Sequence, residues 1–192
     1  MQGRLEHCDH LAWLDVDAEQ GFYEMAQHLM ALGHRHLAYV SGDPKIYSSG
    51  LRLRGLQRAV AEANLPPLQV FEGDFSARSG VAAVEAMVAS QSQVTALICA
   101  NDAMAMGAVS AAGQHGLQVP EDLSVTGYDG VRVAEMFNPP ITTLSHSAAE
   151  CGADMASMIV GLIKGQAPQG LQRLVSPALI QRGSTQPLKG LS

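Results

Sequence analysis

The stretch Val94-Thr95-Ala96-Leu97-Ile98-Cys99-Ala100-Asn101-Asp102-Ala103-Met104-Ala105-Met106-Gly107 decides the fold class. Its first half is an apolar run ending in small residues, the pattern of a strand buried on both faces of a parallel sheet. At Asn101-Asp102 the pattern changes, with no linker, to an Ala/Met-rich segment of helical character. Two polar residues between a strand and a helix lie at the strand's carboxyl end, the edge at which open α/β sheets bind ligands. Asp102 also has a simpler role open to it. An Asp or Asn at a helix start accepts from backbone N–H groups that would otherwise lack a partner.

The same alternation continues on both sides of this stretch. Upstream, Leu11 to Val16 reads as a strand, and Asp17 can cap a helix whose inner face is Phe22, Met25, Ala26, Leu29 and Leu32. Gly33 ends that helix, with His34, Arg35 and His36 decorating its negative end. His36 to Val40 is a strand and Ser41 to Pro44 a loop. Leu53, Leu56, Val60 and Ala63 form a second helical face, broken by Pro66-Pro67. Leu68 to Phe71 is a strand, Glu72 to Ser76 a loop, and Ser76 or Ser79 caps a helix through Val81, Val84 and Met87. Downstream, the helix of the opening stretch runs to about His115 and stops at Gly116. Leu123 to Gly127 is a strand leading to Tyr128-Asp129-Gly130, and Ile141 to Leu144 is another. A long helix then places Met155, Ile159, Leu162 and Ile163 inward, and Leu171–Val175 and Ala178–Gln181 are extended. Strands alternating with helices through short loops predict an α/β fold with a doubly wound parallel sheet. Right-handed crossovers set the loops at Asp17, Ser41–Arg52, Phe75, Asn101-Asp102 and Asp129 on one edge of that sheet.

Composition narrows the function. At 47% apolar and 16% charged residues, the chain can bury a core. Its net charge of −6 and its lack of a basic stripe beyond Arg52, Arg54 and Arg58 argue against nucleic-acid contact by this segment. No run is long and apolar enough for a membrane span. Cys8, Cys99 and Cys151 are widely spaced and odd in number, which reads as reduced thiols of a cytoplasmic protein. The amino end has no apolar h-region and no turn leading into a first strand, so the chain is expected to begin inside a larger protein.

Most chemistries lack their residues. There is no G-x-G-x-x-G after a strand, no G-x-x-x-x-G-K-[ST] and no G-x-S-x-G, which removes the basis for dinucleotide, P-loop or serine-hydrolase chemistry. His7-Cys8-Asp9-His10 holds metal-capable side chains, but adjacent residues converge poorly on one ion, so neither a metal nor another cofactor is expected. What remains is a binding set without a nucleophile–base pair. Asp129 can accept from two vicinal hydroxyls, Asn101 both donates and accepts, Arg52 is a rigid fork of donors, and Phe75 can cover a ring face. The set suits a small polar ring such as a sugar, or a planar base, bound without turnover. Met104 and Met106 fit either a core face or a subunit interface.

A series of motifs resembles the effector-sensing core of LacI/GalR-type bacterial transcription regulators, built on the type I periplasmic-binding-protein fold. These are Asp17-x-x-x-Gly21, His28-Leu29-x-x-Leu32-Gly33-His34-Arg35, Arg52-x-x-Gly55 and Gly73-Asp74-Phe75-x-x-x-x-Gly80. The series continues with Asn101-Asp102-x-Met104-Ala105-x-Gly107, the run Gly116 to Asp129, Ile141-Thr142-Thr143, and Leu179-Ile180-x-Arg182-Gly183-Ser184-Thr185, all in the family's order.

The resemblance implies a two-lobed core between whose lobes an effector binds, a homodimer, and DNA contact only through a helix-turn-helix head absent from this chain. It divides the chain into the end of an N-terminal lobe (1–16), a C-terminal lobe (17–144), a segment returning to the N-terminal lobe (145–170), final strands rejoining the C-terminal lobe (171–185) and a tail (186–192). It implies that Ser48, Arg52, Phe75, Asn101, Asp129, Asp17 and His146 line the cleft, and that Met104, Met106, Val133 and Phe137 belong to a dimer interface. It separates Asn101, as a ligand-facing amide, from Asp102, as the helix cap. Two departures stand out: Ala18 where Asn is frequent, and Gly130 where a second acid is frequent. The faces of strand 11–16 and helix 147–165 are expected to expose apolar surface. A sugar-binding protein of an ABC transporter would share the fold and is the alternative function.

Overall fold

The structure is a computed structural model and describes residues 10–188. Cys8 and the His7–Asp9 part of the cluster read for metal lie outside the described residues. Among the described residues no group of His, Cys, Asp and Glu is arranged to hold a metal ion, and no helix is long and apolar enough to cross a membrane.

β1 (Trp13–Val16) leads into α1 (Ala18–Ala31), and β2 (Leu37–Val40), α2 (Tyr47–Glu62), β3 (Gln69–Phe71) and α3 (Ala77–Ala89) follow. The opening stretch forms β4 (Ala96–Cys99) and α4 (Asp102–Gln114). After them come β5 (Ser124–Tyr128), a short α5 (Arg132–Glu135) that the sequence reading did not anticipate, β6 (Thr142–Ser145), α6 (Ala148–Ile163), β7 (Gln172–Val175) and β8 (Ala178–Ile180). The main sheet has the order β3-β2-β4-β5-β6-β8, and β1 and β7 form a separate two-stranded sheet. Only the β6–β8 pair is antiparallel. The doubly wound parallel sheet is therefore as expected, and β4 lies inside it between β2 and β5, with every one of its residues buried.

Strand alternation assigns the faces. Phe22 of α1 packs on Tyr39 of β2 and Tyr128 of β5, so α1 and its partner α2 cover that face. Thr143 points to the opposite face, where α4 and its partner α3 lie. The α3–α4 crossing is closer than side chains permit. A Cβ at Gly80 would run into the Met104 carbonyl, and one at Gly107 into that of Ala77.

Three expectations are corrected. First, α6 does not turn Ile159, Leu162 and Ile163 inward: Ile163 is 80% exposed and Ile159 58%. Among the described residues its buried stripe of Cys151, Met158 and Gly161 packs beside the two-stranded sheet, against Leu14 and Leu171. The apolar surface expected on this helix is thus present, whereas Trp13 and Leu14 of β1 are buried. Second, residues 171–185 do not rejoin the main sheet as one unit. Gln172–Val175 pairs with β1, and only Ala178–Ile180 pairs with β6. Third, His34 does not decorate a helix end. It is buried, with Nδ1 3.0 Å from Thr95 Oγ1 and Nε2 3.2 Å from the Gln186 carbonyl, and so fastens the C-terminal segment to the sheet.

Candidate functional site: the carboxyl edge of the main sheet

The site is assembled where β2, β4, β5 and β6 end. Arg52, in the second turn of α2, extends along that edge and is 9% exposed. Its Nη1 donates to the Ala100 carbonyl at 2.6 Å, just past β4. Its guanidinium carbon lies 4.4 Å from the Tyr128 ring centroid, 5.5 Å from that of Phe75 and 5.6 Å from that of Phe22. The three rings offer their negative faces to the cation and fix its planar fork. Its Nε is enclosed there without a hydrogen-bond partner.

Asp129 follows β5 directly and has a φ of 109°, a region that an L side chain rarely adopts. Its N–H donates to the Leu144 carbonyl at 2.9 Å, which anchors the strained residue to β6. The residue as a whole is exposed, but partial loss of hydration beside the rings pushes its carboxyl up from 3.8 to about 6. The Arg52 cation opposes that rise and the nearby Asp102 adds to it. Phe75 also has a positive φ, 67°, and its ring lies against Gly42, where a Cβ would overlap it.

The helix cap expected at Asp102 is supplied by its neighbour instead. Asn101 is the cap: its Oδ1 accepts from Met104 N–H at 2.9 Å, and its Nδ2 donates to the Phe75 carbonyl at 2.9 Å. The amide is thereby committed to the helix and to the Phe75 loop. Asp102 is 1% exposed and accepts from the Thr143 hydroxyl and the Val131 N–H instead. Either residue could cap a helix from its position, and sequence alone does not choose between them.

Of the remaining expected residues, Ser48 stands half-buried one turn before Arg52 on α2. His146 is half-buried just beyond β6, with Nδ1 enclosed and unpartnered. Asp17 accepts from Gln20 N–H at 3.0 Å, capping α1. It lines a cavity of about 240 Å³ with Asp15, Glu19, Arg54 and Arg58 that does not include Arg52. The structure thus gathers Arg52, Phe75, Asn101 and Asp129 and sets Asp17 apart. Sequence reasoning missed Phe22 and Tyr128. The signal was an aromatic at each of two elements bordering the edge, read only as core and as loop.

The interface residues also divide. Met104 is fully buried against Gly73, so it cannot touch another subunit, and that assignment is corrected. Met106 and Phe137 are half-buried against the core. Val133 is 50% and its neighbour Met136 75% exposed.

Residues 26–185 match a family described as a periplasmic binding protein-like domain. The chain belongs to this family. Its similarities lie with the LacI/GalR-type members. The HTH-type transcriptional repressor PurR of Edwardsiella ictaluri is 36% identical over 170 residues, which cover 88% of this chain and 50% of that protein. A dimeric Lac repressor superposes with a TM-score of 0.86 at 32% identity, covering 93% of this chain and 65% of that one. The transcriptional regulator CelR in complex with cellobiose does so at 0.86 and 29%, covering 95% and 57%. This periplasmic binding protein-like chain spans about half the length of the curated relatives it matches.

Proposed function

We propose that this chain is the effector-binding part of a LacI/GalR-type transcriptional repressor, and that it takes a small polar ring at the carboxyl edge of its main sheet. The observation that carries the reading is Asp129, held in a left-handed conformation beside an Arg52 caged by Phe22, Phe75 and Tyr128. A carboxylate in that position accepts from adjacent hydroxyls of a sugar or nucleoside, or from the N–H edge of a purine. Phe75 covers the ring face, and Ser48 and His146 complete the rim. None of these groups is a nucleophile paired with a base, so the ligand is bound and released unchanged, without cofactor or metal.

The effector shifts the population of two arrangements of the lobes. A homodimer formed through Met106, Val133 and Phe137, with the exposed Val131 and Met136 beside them, passes that shift to head domains elsewhere in the whole protein, and those heads alone contact DNA. Residues 10–16 and 145–170 belong to the N-terminal lobe, together with the β7 part of 171–185, and the repressor works in the cytoplasm. Relatives that are repressors favour this reading over a transport protein of the same fold.

The test is a thermal-shift panel on the whole protein with pentoses, hexoses, cellobiose, nucleosides and purine bases, since a ligand that binds only the native state raises its melting temperature. One class should stabilise the wild type and lose about 10-fold or more in affinity against Asp129→Asn. A ligand held equally by both proteins overturns the site.

A further inference from the structure

The most enclosed charge among the site's neighbours is not one of the cleft residues. Asp102 accepts from the Thr143 hydroxyl at 2.7 Å through Oδ1 and from the Val131 N–H at 2.8 Å through Oδ2. The Gly130 N–H is directed at the same carboxylate. These donors come from two different elements. Thr143 is in the middle of β6, and Gly130-Val131 is the link between β5 and α5. Space for the carboxylate is made by Gly127, where a Cβ would collide with Oδ1.

The link itself is unusual backbone. Asp129 and Gly130 have successive φ values of 109° and 69°. The N–H groups that follow, those of Gly130 and Val131, both reach the Asp102 carboxyl group. A non-glycine residue at positive φ persists only when its surroundings over-determine it. The Leu144 carbonyl holds the Asp129 N–H on one side, and Asp102 holds the next N–H groups on the other. Burial raises the Asp102 carboxyl above its usual value, and its bonds to Thr143, Val131 and Gly130 oppose that rise.

We propose that Asp102 is a positioning residue: its buried carboxylate fixes the Asp129–Val131 link in the one conformation that presents Asp129 to the ligand. The inference rests on the reading of Asp129 as the ligand-facing acid. The same link continues without a break into the exposed Val131, Val133 and Met136 surface. Asp102 therefore determines how firmly an occupied Asp129 is connected to that surface.

The experiment uses the isotope-labelled 192-residue chain as wild type, Asp102→Asn and Thr143→Val. The Asn side chain has nearly the shape of Asp, but it sets an NH2 group against donors on one side. Amide hydrogen exchange at Gly130 and Val131 is expected to accelerate about 10-fold or more in Asp102→Asn. Ile98 and Val125, in the buried strands β4 and β5, should change much less. The carboxyl titration midpoint of Asp129, followed by NMR in Thr143→Val, which keeps the Asp102 side chain, should shift from about 6 as the freed link changes the surroundings of the group. Thr143→Val should show the same selectivity at smaller amplitude, and it decides the matter alone if Asp102→Asn does not fold.

If exchange at Gly130 and Val131 rises only in step with Ile98 and Val125, the carboxylate supports the fold and not the link, and the proposal is overturned. An unmoved Asp129 midpoint overturns it as well. A parallel titration with cellobiose, ribose and hypoxanthine, comparing wild type with Asp129→Asn, tests the binding reading separately. Equal responses there would remove Asp129 as the ligand acid, whatever the exchange data show about Asp102.

Discussion

α1 and α6 have similar amphipathic spacing and opposite fates. α1 buries Phe22, Met25, Ala26 and Leu29 completely, because the main sheet and α2 enclose it. α6 repeats apolar residues at the same intervals yet leaves Ile159, Val160, Leu162 and Ile163 in the open, because its support is two strands wide. Periodicity records which face a helix has available for burial; it does not record how many layers are there to cover it. The six-stranded region has a closed core, whereas the β1–β7–α6 region has half of one.

That contrast can be broken by truncation. Leu97→Ala removes a fully buried side chain from the centre of the main sheet and should cost about 2–5 kcal/mol. Ile163→Ala, equally conservative in sequence terms, should change stability by no more than about 0.5 kcal/mol. Urea denaturation of both variants measures the pair. A loss at Ile163 comparable to that at Leu97 would mean that α6 is covered in solution by something further.

A second substitution probes the closeness of the layers. Gly107→Val drives side-chain atoms into the Ala77 carbonyl, so α3 and α4 must separate, at about 1–3 kcal/mol. The same change at Gly152 on α6, where a Cβ would meet nothing within 4 Å, should be neutral or stabilise by about 0.3 kcal/mol, because valine is a better helix former than glycine. Similar midpoints for the two variants would show that the two regions are packed alike.

Sequence and structure agree most closely where one physical requirement dominates. β4 has one explanation for its run of buried apolar residues, and the alternation around it leaves one fold class. Arg52, Phe75 and Asp129 were legible because a parallel sheet delivers every strand end to the same edge. The Asn101–Asp102 pair was not, because both side chains can cap, and the choice is made by Thr143 and Val131, distant in sequence. Phe22 and Tyr128 were hidden by being core and site at once. Met104 was misplaced because a methionine beside alanines fits a packed crossing as well as an interface. α5 is one turn long and has too few residues for any periodicity.

Arg52→Lys tests the cage around the cation. A lysine keeps the charge but loses the planar fork that stacks on Tyr128 and reaches the Ala100 carbonyl. Effector affinity should fall about 10-fold, with stability changed by about 1 kcal/mol. Calorimetric titration beside a melting curve separates the two. A variant that binds normally would confine the role of Arg52 to its charge.

The smallest effect expected is also the one with two opposite signs. The Asp129 carboxyl is raised in the folded protein, from 3.8 to about 6. Between pH 4 and pH 6 the native state therefore holds a proton that the unfolded chain has already released. Stability contributed by this group is present below that window and declines as pH rises through it. Effector binding moves the other way, because the acid accepts from ligand hydroxyls only when ionised, so affinity should rise through pH 6. Asp129→Asn removes both dependences. Subtracting its melting profile from that of the wild type cancels the contributions of His28 and His34, whose protonation burial opposes in the same range. The difference should show the variant gaining on the wild type from pH 4 to pH 6 and holding level above it. A flat difference would mean that the Asp129 carboxyl feels neither Arg52 nor the loss of hydration beside the rings, and with it would go the physical basis for a ligand acid at this edge.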